Sequence, residues 1–300
     1  MRAILSLILV LAIVGASCSE REGAGEDGAI DVVTTVYPLA YATERVGGDA
    51  VTVTNLTPPG GEPHDLELAP DDLERLLRAD LVVLVGGGFQ PAVEEAIEAA
   101  SPAVVLDAAE GVGRSSSTDE LEAGGGEDPH VWLDPLIYAD IADRISSALG
   151  GIDPARAESI AERSATLRTE LESLDDEFRV GLEDCRTRVM FTSHEAFGYL
   201  AYAYGLEQQP LAGLSPEAEP DPARLADLAA QARASGATTV FTEDLVPPEV
   251  AQTLAAEAGL VTARLSPLEG LTDEQAAAGA DYLSVMRDNL ESLRDGLACS

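Results

Sequence analysis

Only three histidines occur among the 300 residues, and each stands in turn-forming sequence: His64 in PPGGEPHDLELAP, His130 in GGGEDPHVWLDP and His194 in FTSHEAFGYLAYAYGL. Imidazole is the commonest metal-binding side chain near neutral pH. Three of them converging in a cleft would suit zinc better than harder cations. The neighbouring residues thin out the rival chemistries. His194-Glu195 opens like H-E-x-x-H, but position 198 is Gly, so the second ligand of a zinc-protease helix is missing. Gly86, Gly87 and Gly88 follow a strand-like run, yet Pro91 stands where a dinucleotide fingerprint needs glycine. No G-x-S-x-G elbow is present, and no cysteine adjoins a histidine as a nucleophile would. All 18 basic residues are Arg, which removes lysine Schiff bases and P-loops. With 54 acidic residues and a formal net charge of -36, a nucleic-acid backbone is no natural partner.

The elements that must position these histidines recur in two similar sets. Short β-branched or Leu-rich runs are expected as strands at 31–36, 51–56, 81–85 and 103–106, with helical stretches between them, and the rhythm returns at 188–192, near 208–211, at 238–242 and at 261–265. Strands alternating with helices imply parallel sheets, so the fold class is α/β with two parallel-sheet lobes. Ligand crevices in such sheets lie beyond the carboxyl ends of the strands, where His64 and His194 are expected. Between the lobes, Ile160, Leu167, Leu171, Leu174, Phe178 and Leu182 recur at three-to-four spacing. They predict one long amphipathic helix over 153–185, with Asp153 as N-cap and Pro154 in its first turn, about 45 Å long. Residues 111–127, GVGRSSSTDELEAGGGE, read as a low-complexity loop in the first lobe.

The N-terminus places the chain outside the cytoplasm. Residues 1–17 put one Arg before an apolar run and then small residues, the layout of a secretory signal peptide. Cys18 follows Gly15, Ala16 and Ser17, which resembles the lipobox at which bacterial lipoproteins are cleaved and acylated. Residues 18–29 would then be a flexible tether to the membrane. With Cys18 used on the anchor, Cys185 and Cys299 remain as an even pair in an oxidising compartment, and a disulfide between them is expected to staple the C-terminus onto the second lobe. The lobes fall at 30–152 and 186–300, with the linking helix at 153–185.

The phrases around the histidines, together with TTVYPLAYATERVGGD, GLSPEAEPDPARLADL, TTVFTEDLVPPEVAQTLAAEAG and DYLSVMRDNLESL, resemble the zinc- and manganese-binding solute-binding proteins of bacterial ABC transporters. The resemblance covers residues 31 to 298. It implies two lobes joined by one rigid helix and a divalent cation, Zn2+ or alternatively Mn2+, held in the interlobe cleft. It also implies delivery of that cation to an ABC permease by a monomeric, non-enzymatic carrier. His64, His130 and His194 match the family's first three ligands, and a histidine rather than a glutamate at the third resembles its zinc-type branch. Ser266 stands where the family's fourth ligand, an Asp, would fall. Glu269, or a water, is therefore expected to complete the shell, with Glu269 favoured because it can reach back through the flexibility of Gly270, and with Glu243 in a supporting role. Two rival functions remain at this stage. One is a zinc hydrolase whose water is activated by Glu195 or Glu269, and the other is a surface adhesin of the same fold.

Overall fold

The structure is a computed structural model that describes residues 28–112, 128–216 and 222–300. The signal sequence, Cys18 and most of the 111–127 loop lie outside the described residues. The first lobe runs through β1 (Ile30–Thr34), α1 (Tyr37–Gly47), β2 (Val51–Asn55), α2 (Pro70–Arg78), β3 (Leu81–Leu84), α3 (Pro91–Ala100) and β4 (Val105–Asp107). Two long helices follow, α4 (Pro135–Ile152) and α5 (Ala157–Gly181). The second lobe holds β5 (Val189–Thr192), α6 (Gly198–Tyr204), β6 (Glu207–Pro210), α7 (Pro222–Ser235), β7 (Thr239–Thr242), α8 (Glu249–Ala258), β8 (Val261–Arg264), α9 (Asp273–Ala277) and α10 (Tyr282–Gly296).

Each lobe is a four-stranded, wholly parallel sheet, ordered β2-β1-β3-β4 in the first and β6-β5-β7-β8 in the second. Numbered within its own lobe, the order is the same twice. The inner strand β3 is buried along its whole length, as its LVVL sequence requires of a strand covered by helices on both faces. In both sheets the chain crosses from the second strand to the far side of the first, so each has a switch point where strand ends leave a crevice. Those two crevices face the same seam between the lobes.

The seam is filled rather than open. One continuous apolar cluster takes in Ile30 and Val83 of the first lobe, Trp132, Tyr138 of α4, Phe178 of α5 and Tyr282 and Leu293 of α10. Separate smaller cores lie under each outer sheet face, around Leu76 and Val82 in one lobe and Leu228, Val240 and Leu254 in the other. The side chains expected on the linking helix are all buried: Ile160, Leu167, Leu171, Leu174 and Phe178 on α5, and Leu182 just beyond it. The helix begins later than the sequence implied, at Ala157, with Arg156 in the N-cap position. Asp153 closes α4, its N–H donating to Leu149 O at 2.9 Å, because a residue preceding proline is pushed out of helical geometry, and its Oδ1 accepts from Ala155 N–H at 3.0 Å, capping the turn that leads into α5. At 25 residues α5 is about 37 Å long. It lies along α4, so the strut is a helix pair. Cys185 and Cys299 are joined by a disulfide that also sits in an antiparallel backbone bridge.

Candidate metal site

The three histidines leave the carboxyl ends of strands in both lobes. His64 follows β2, His130 follows β4 through the loop that ends at Asp128, and His194 stands two residues after β5. His130 and His64 share one local device, and His194 is held by another. Asp128 accepts the backbone N–H of His130 at 3.0 Å and its ring Nδ1–H at 2.8 Å. Glu62 likewise accepts the backbone N–H of His64 at 2.8 Å. Both are acid-Pro-His tripeptides, Glu62-Pro63-His64 and Asp128-Pro129-His130, in which the acid bonds the backbone two residues on while proline fixes the turn. The ring of Phe89, from the glycine turn after β3, stands edge-on to His64 with centroids 4.7 Å apart, and Gln90 donates to Pro63 O at 3.1 Å. His194 donates Nδ1–H to Glu243 at 2.7 Å, and Gln208 and Thr192 both donate to its carbonyl.

These contacts decide which ring nitrogen is free. With Nδ1 of His130 and His194 given to carboxylates, both rings present Nε2 to the seam, and a carboxylate on the far nitrogen makes that Nε2 a stronger donor to a metal. All three Nε2 atoms converge on one oxygen, Glu269 Oε1, at 3.0 Å from His64, 2.9 Å from His130 and 3.3 Å from His194. One ligand atom from each of the four residues fits within 4.8 Å of the others. Such a set of three imidazoles and a carboxylate suits a tetrahedral zinc ion.

Glu269 is aimed by its turn, though by a different residue from the one expected. Gly270 does not adopt a left-handed conformation; Leu268 does, at φ 58°. That strained backbone is held by Ser266, whose Oγ accepts from Leu268 N–H at 3.2 Å, while Asn289 of α10 grips Ser266 through its N–H at 2.8 Å and its carbonyl at 2.7 Å. Ser266 thus serves the turn, and Glu269 is the side chain of that turn that faces the imidazoles. The helix behind the turn is capped by Thr272 and Gln275, which leaves Glu269 free of that duty.

The electrostatics of the cluster call for a cation. Asp128, Glu243, Glu269 and Glu62 gather around three imidazoles, and one oxygen each of Glu62 and Glu269 is buried without a hydrogen-bond partner. Burial works against charge on His194, yet the carboxylates of Glu243 and Glu269 outweigh it and lift its pKa well above 6.5. Burial also opposes charge on His130, where hydrogen bonds to Asp128 and Glu269 prevail and raise it. Glu269 is held well below the usual 4.5, its burial overcome by the charge of His194 and the imidazole hydrogen bonds. Glu62 is pushed up to about 7, by burial first and then by the charge of Glu269.

The family description "Zinc-uptake complex component A periplasmic" matches residues 32–296. The chain belongs to this family. Among its relatives, the high-affinity zinc uptake system protein ZnuA of Bacillus subtilis is 33% identical over 305 residues, covering 98% of this chain and 96% of that protein. The zinc-binding protein AdcA of Streptococcus pyogenes is 34% identical over 288 residues, and the chain spans 56% of its length. The Zn(II)-bound ZnuA-like domain of Streptococcus pneumoniae AdcA superposes with a TM-score of 0.77 at 33% identity, covering 90% of this chain and 99% of that one. The laminin-binding Lmb of Streptococcus agalactiae, described as having adhesin and metal transporting activity, superposes with a TM-score of 0.80 at 30% identity, covering 90% and 100%.

Four of the residues that build the site were not legible one by one. Asp128 and Glu62 carried a signal in the repeated acid-Pro-His tripeptide. Asn289 and Trp132 carried none, because their partners lie 23 and 135 residues away.

Proposed function

We propose that the chain is an extracytoplasmic binding protein that captures one zinc ion on His64, His130, His194 and Glu269 and hands it to the permease of an ABC importer. The observation that carries this reading is the convergence of three Nε2 atoms on Glu269 Oε1, with the far nitrogens of two rings already committed to carboxylates. Four protein donors fill a tetrahedron, and a closed shell binds without offering the open position that a catalytic zinc keeps. Glu269, weighed above as the base of a hydrolase, stands among the donors, and Glu195 is not part of the cluster. Manganese prefers more oxygen donors than this set supplies, so zinc is the cargo favoured by its chemistry. The lobes at 30–152 and 186–300, linked through 153–185, act as a monomer tethered to the membrane by acylated Cys18. No helix among the described residues is long and apolar enough to cross a membrane.

Native mass spectrometry of the purified chain with zinc and manganese in competition tests the reading. One zinc per chain is expected, and His64→Ala, His130→Ala and His194→Ala should each lose it. Zinc at ~1,000 times its dissociation constant adds roughly 4 kcal/mol of stability, so the melting temperature should rise in the wild type alone. Equal zinc responses in wild type and all three variants would refute the site. The likeness to Lmb favours a second role as an adhesin, which surface binding of the metal-loaded chain to immobilised laminin would reveal.

A further inference from the structure

The chain's single tryptophan, Trp132, is fully buried two residues after His130, and its indole touches the surroundings of three of the four metal donors. It lies 5.4 Å from the ring of His130 and 6.1 Å from Phe89, which itself stands against His64. Across the seam its Nε1–H donates to Pro267 O at 2.8 Å, two residues before Glu269. A return path closes the loop. The hydroxyl of Tyr282, at the start of α10, donates to the carbonyl of Trp132 at 2.6 Å, and Asn289 of the same helix holds Ser266 beside Pro267. Every polar atom in this ring is buried, so none of the bonds can be exchanged for water without opening the seam.

We infer that Trp132 is a positioning residue, which with Tyr282 fixes the first-lobe ligand His130 in register with the second-lobe ligand Glu269. The inference rests on the four-donor zinc site proposed above. A metal that demands four donors at one geometry is bound tightly only if donors from separate lobes already stand at the right spacing. The His130 Nε2 to Glu269 Oε1 distance of 2.9 Å is set across the lobes, and besides that contact between the ligands themselves the Trp132 indole ties the same two turns through its hydrogen bond to Pro267 O. Losing the indole N–H leaves a buried carbonyl unpaired and frees the Glu269 turn to drift. The other three donors remain, so the ion would then bind in a looser, more open shell.

The test uses the full chain freed of metal and titrated with Co2+, whose visible absorption is intense in a tetrahedral site and weak in higher coordination, alongside zinc affinity by chelator competition. Trp132→Phe should lower zinc affinity ten- to a hundredfold, the usual effect of removing a group that orients a ligand. It should also weaken the cobalt band. Tyr282→Phe, which deletes a single oxygen, should act in the same direction and serves where Trp132→Phe does not fold. Tyr138→Phe is the control. It removes an equally short buried hydrogen bond, Tyr138 to Pro38 O at 2.6 Å, that lies within one lobe. It should lower the melting temperature of the metal-free chain while leaving affinity and cobalt band unchanged. Wild-type affinity and spectrum in both Trp132→Phe and Tyr282→Phe would overturn the inference, as would equal losses in Tyr138→Phe. A His130→Ala chain that binds cobalt like wild type would place the metal elsewhere, and both the site and the inference would fall.

Discussion

Raising the pH from 6 to 7 should tighten zinc binding by one to two powers of ten, because the metal-free site holds protons on the atoms that the ion needs. His194 and His130 both carry raised pKa values, with Glu269 touching each through Oε1. A ligating imidazole must be neutral, so each retained proton is displaced on binding. Every proton displaced costs about 1.4 kcal/mol of apparent affinity per pH unit below the pKa. With one or two imidazoles protonated, the slope of log K against pH is about one to two. The same shifts set the stability of the metal-free chain. Raised histidine values contribute stability that is fully present below about 6.5 and fades as pH climbs through the higher folded values. The depressed Glu269 contributes above about 4.5 and fades as pH falls through its lowered value. Metal-free stability from the site therefore peaks between those limits, and the melting shift caused by zinc should widen from pH 6 to pH 8. Isothermal titration calorimetry in buffers of different ionisation enthalpy counts the protons directly. Glu269→Gln should release fewer protons than wild type, since it removes a carboxylate that lifts both rings, and should bind zinc at least tenfold more weakly. Zinc binding without proton release at pH 6.5 would refute the reasoning.

The carboxylates that orient the rings should matter nearly as much as the donors: Glu243→Gln and Asp128→Asn should each weaken zinc ten- to a hundredfold in chelator competition, with the fold intact by circular dichroism. Breaking the disulfide with Cys299→Ser should lower the unfolding free energy by roughly 2–4 kcal/mol in denaturant titration, because the bridge closes a loop with a sequence separation of 114. At a net charge of -36 the folded chain repels itself, so the metal-free melting temperature should rise between 0.05 M and 1 M sodium chloride as screening shortens.

The eight strands lie within a few residues of where β-branched runs placed them, and the three histidines come together as their turn contexts implied, because a ligand in a parallel sheet must leave a strand end. Glu269 could be singled out only through the resemblance, because Ser266 stands where the family's fourth ligand falls and carries no carboxylate. What stayed hidden depends on residues far apart in sequence. Asp153 looks like an N-cap beside Pro154 and does accept from Ala155 N–H, yet the same residue ends α4 and the regular helix starts only at Ala157, which the composition of 153–156 did not show. Gly270 looked like the flexible point of the last turn by composition alone. The left-handed residue proved to be Leu268, a conformation no leucine adopts by preference, imposed by Ser266, Asn289 and the burial of its side chain.

Two donors stand on each half of the molecule, His64 and His130 on one and His194 and Glu269 on the other. On the zinc site proposed above, neither half alone would be more than a two-toothed chelator. For an intact copy the same division offers a lever. A partner that pries one half away breaks two bonds in a single stroke, and the pair left behind lets go with little further work.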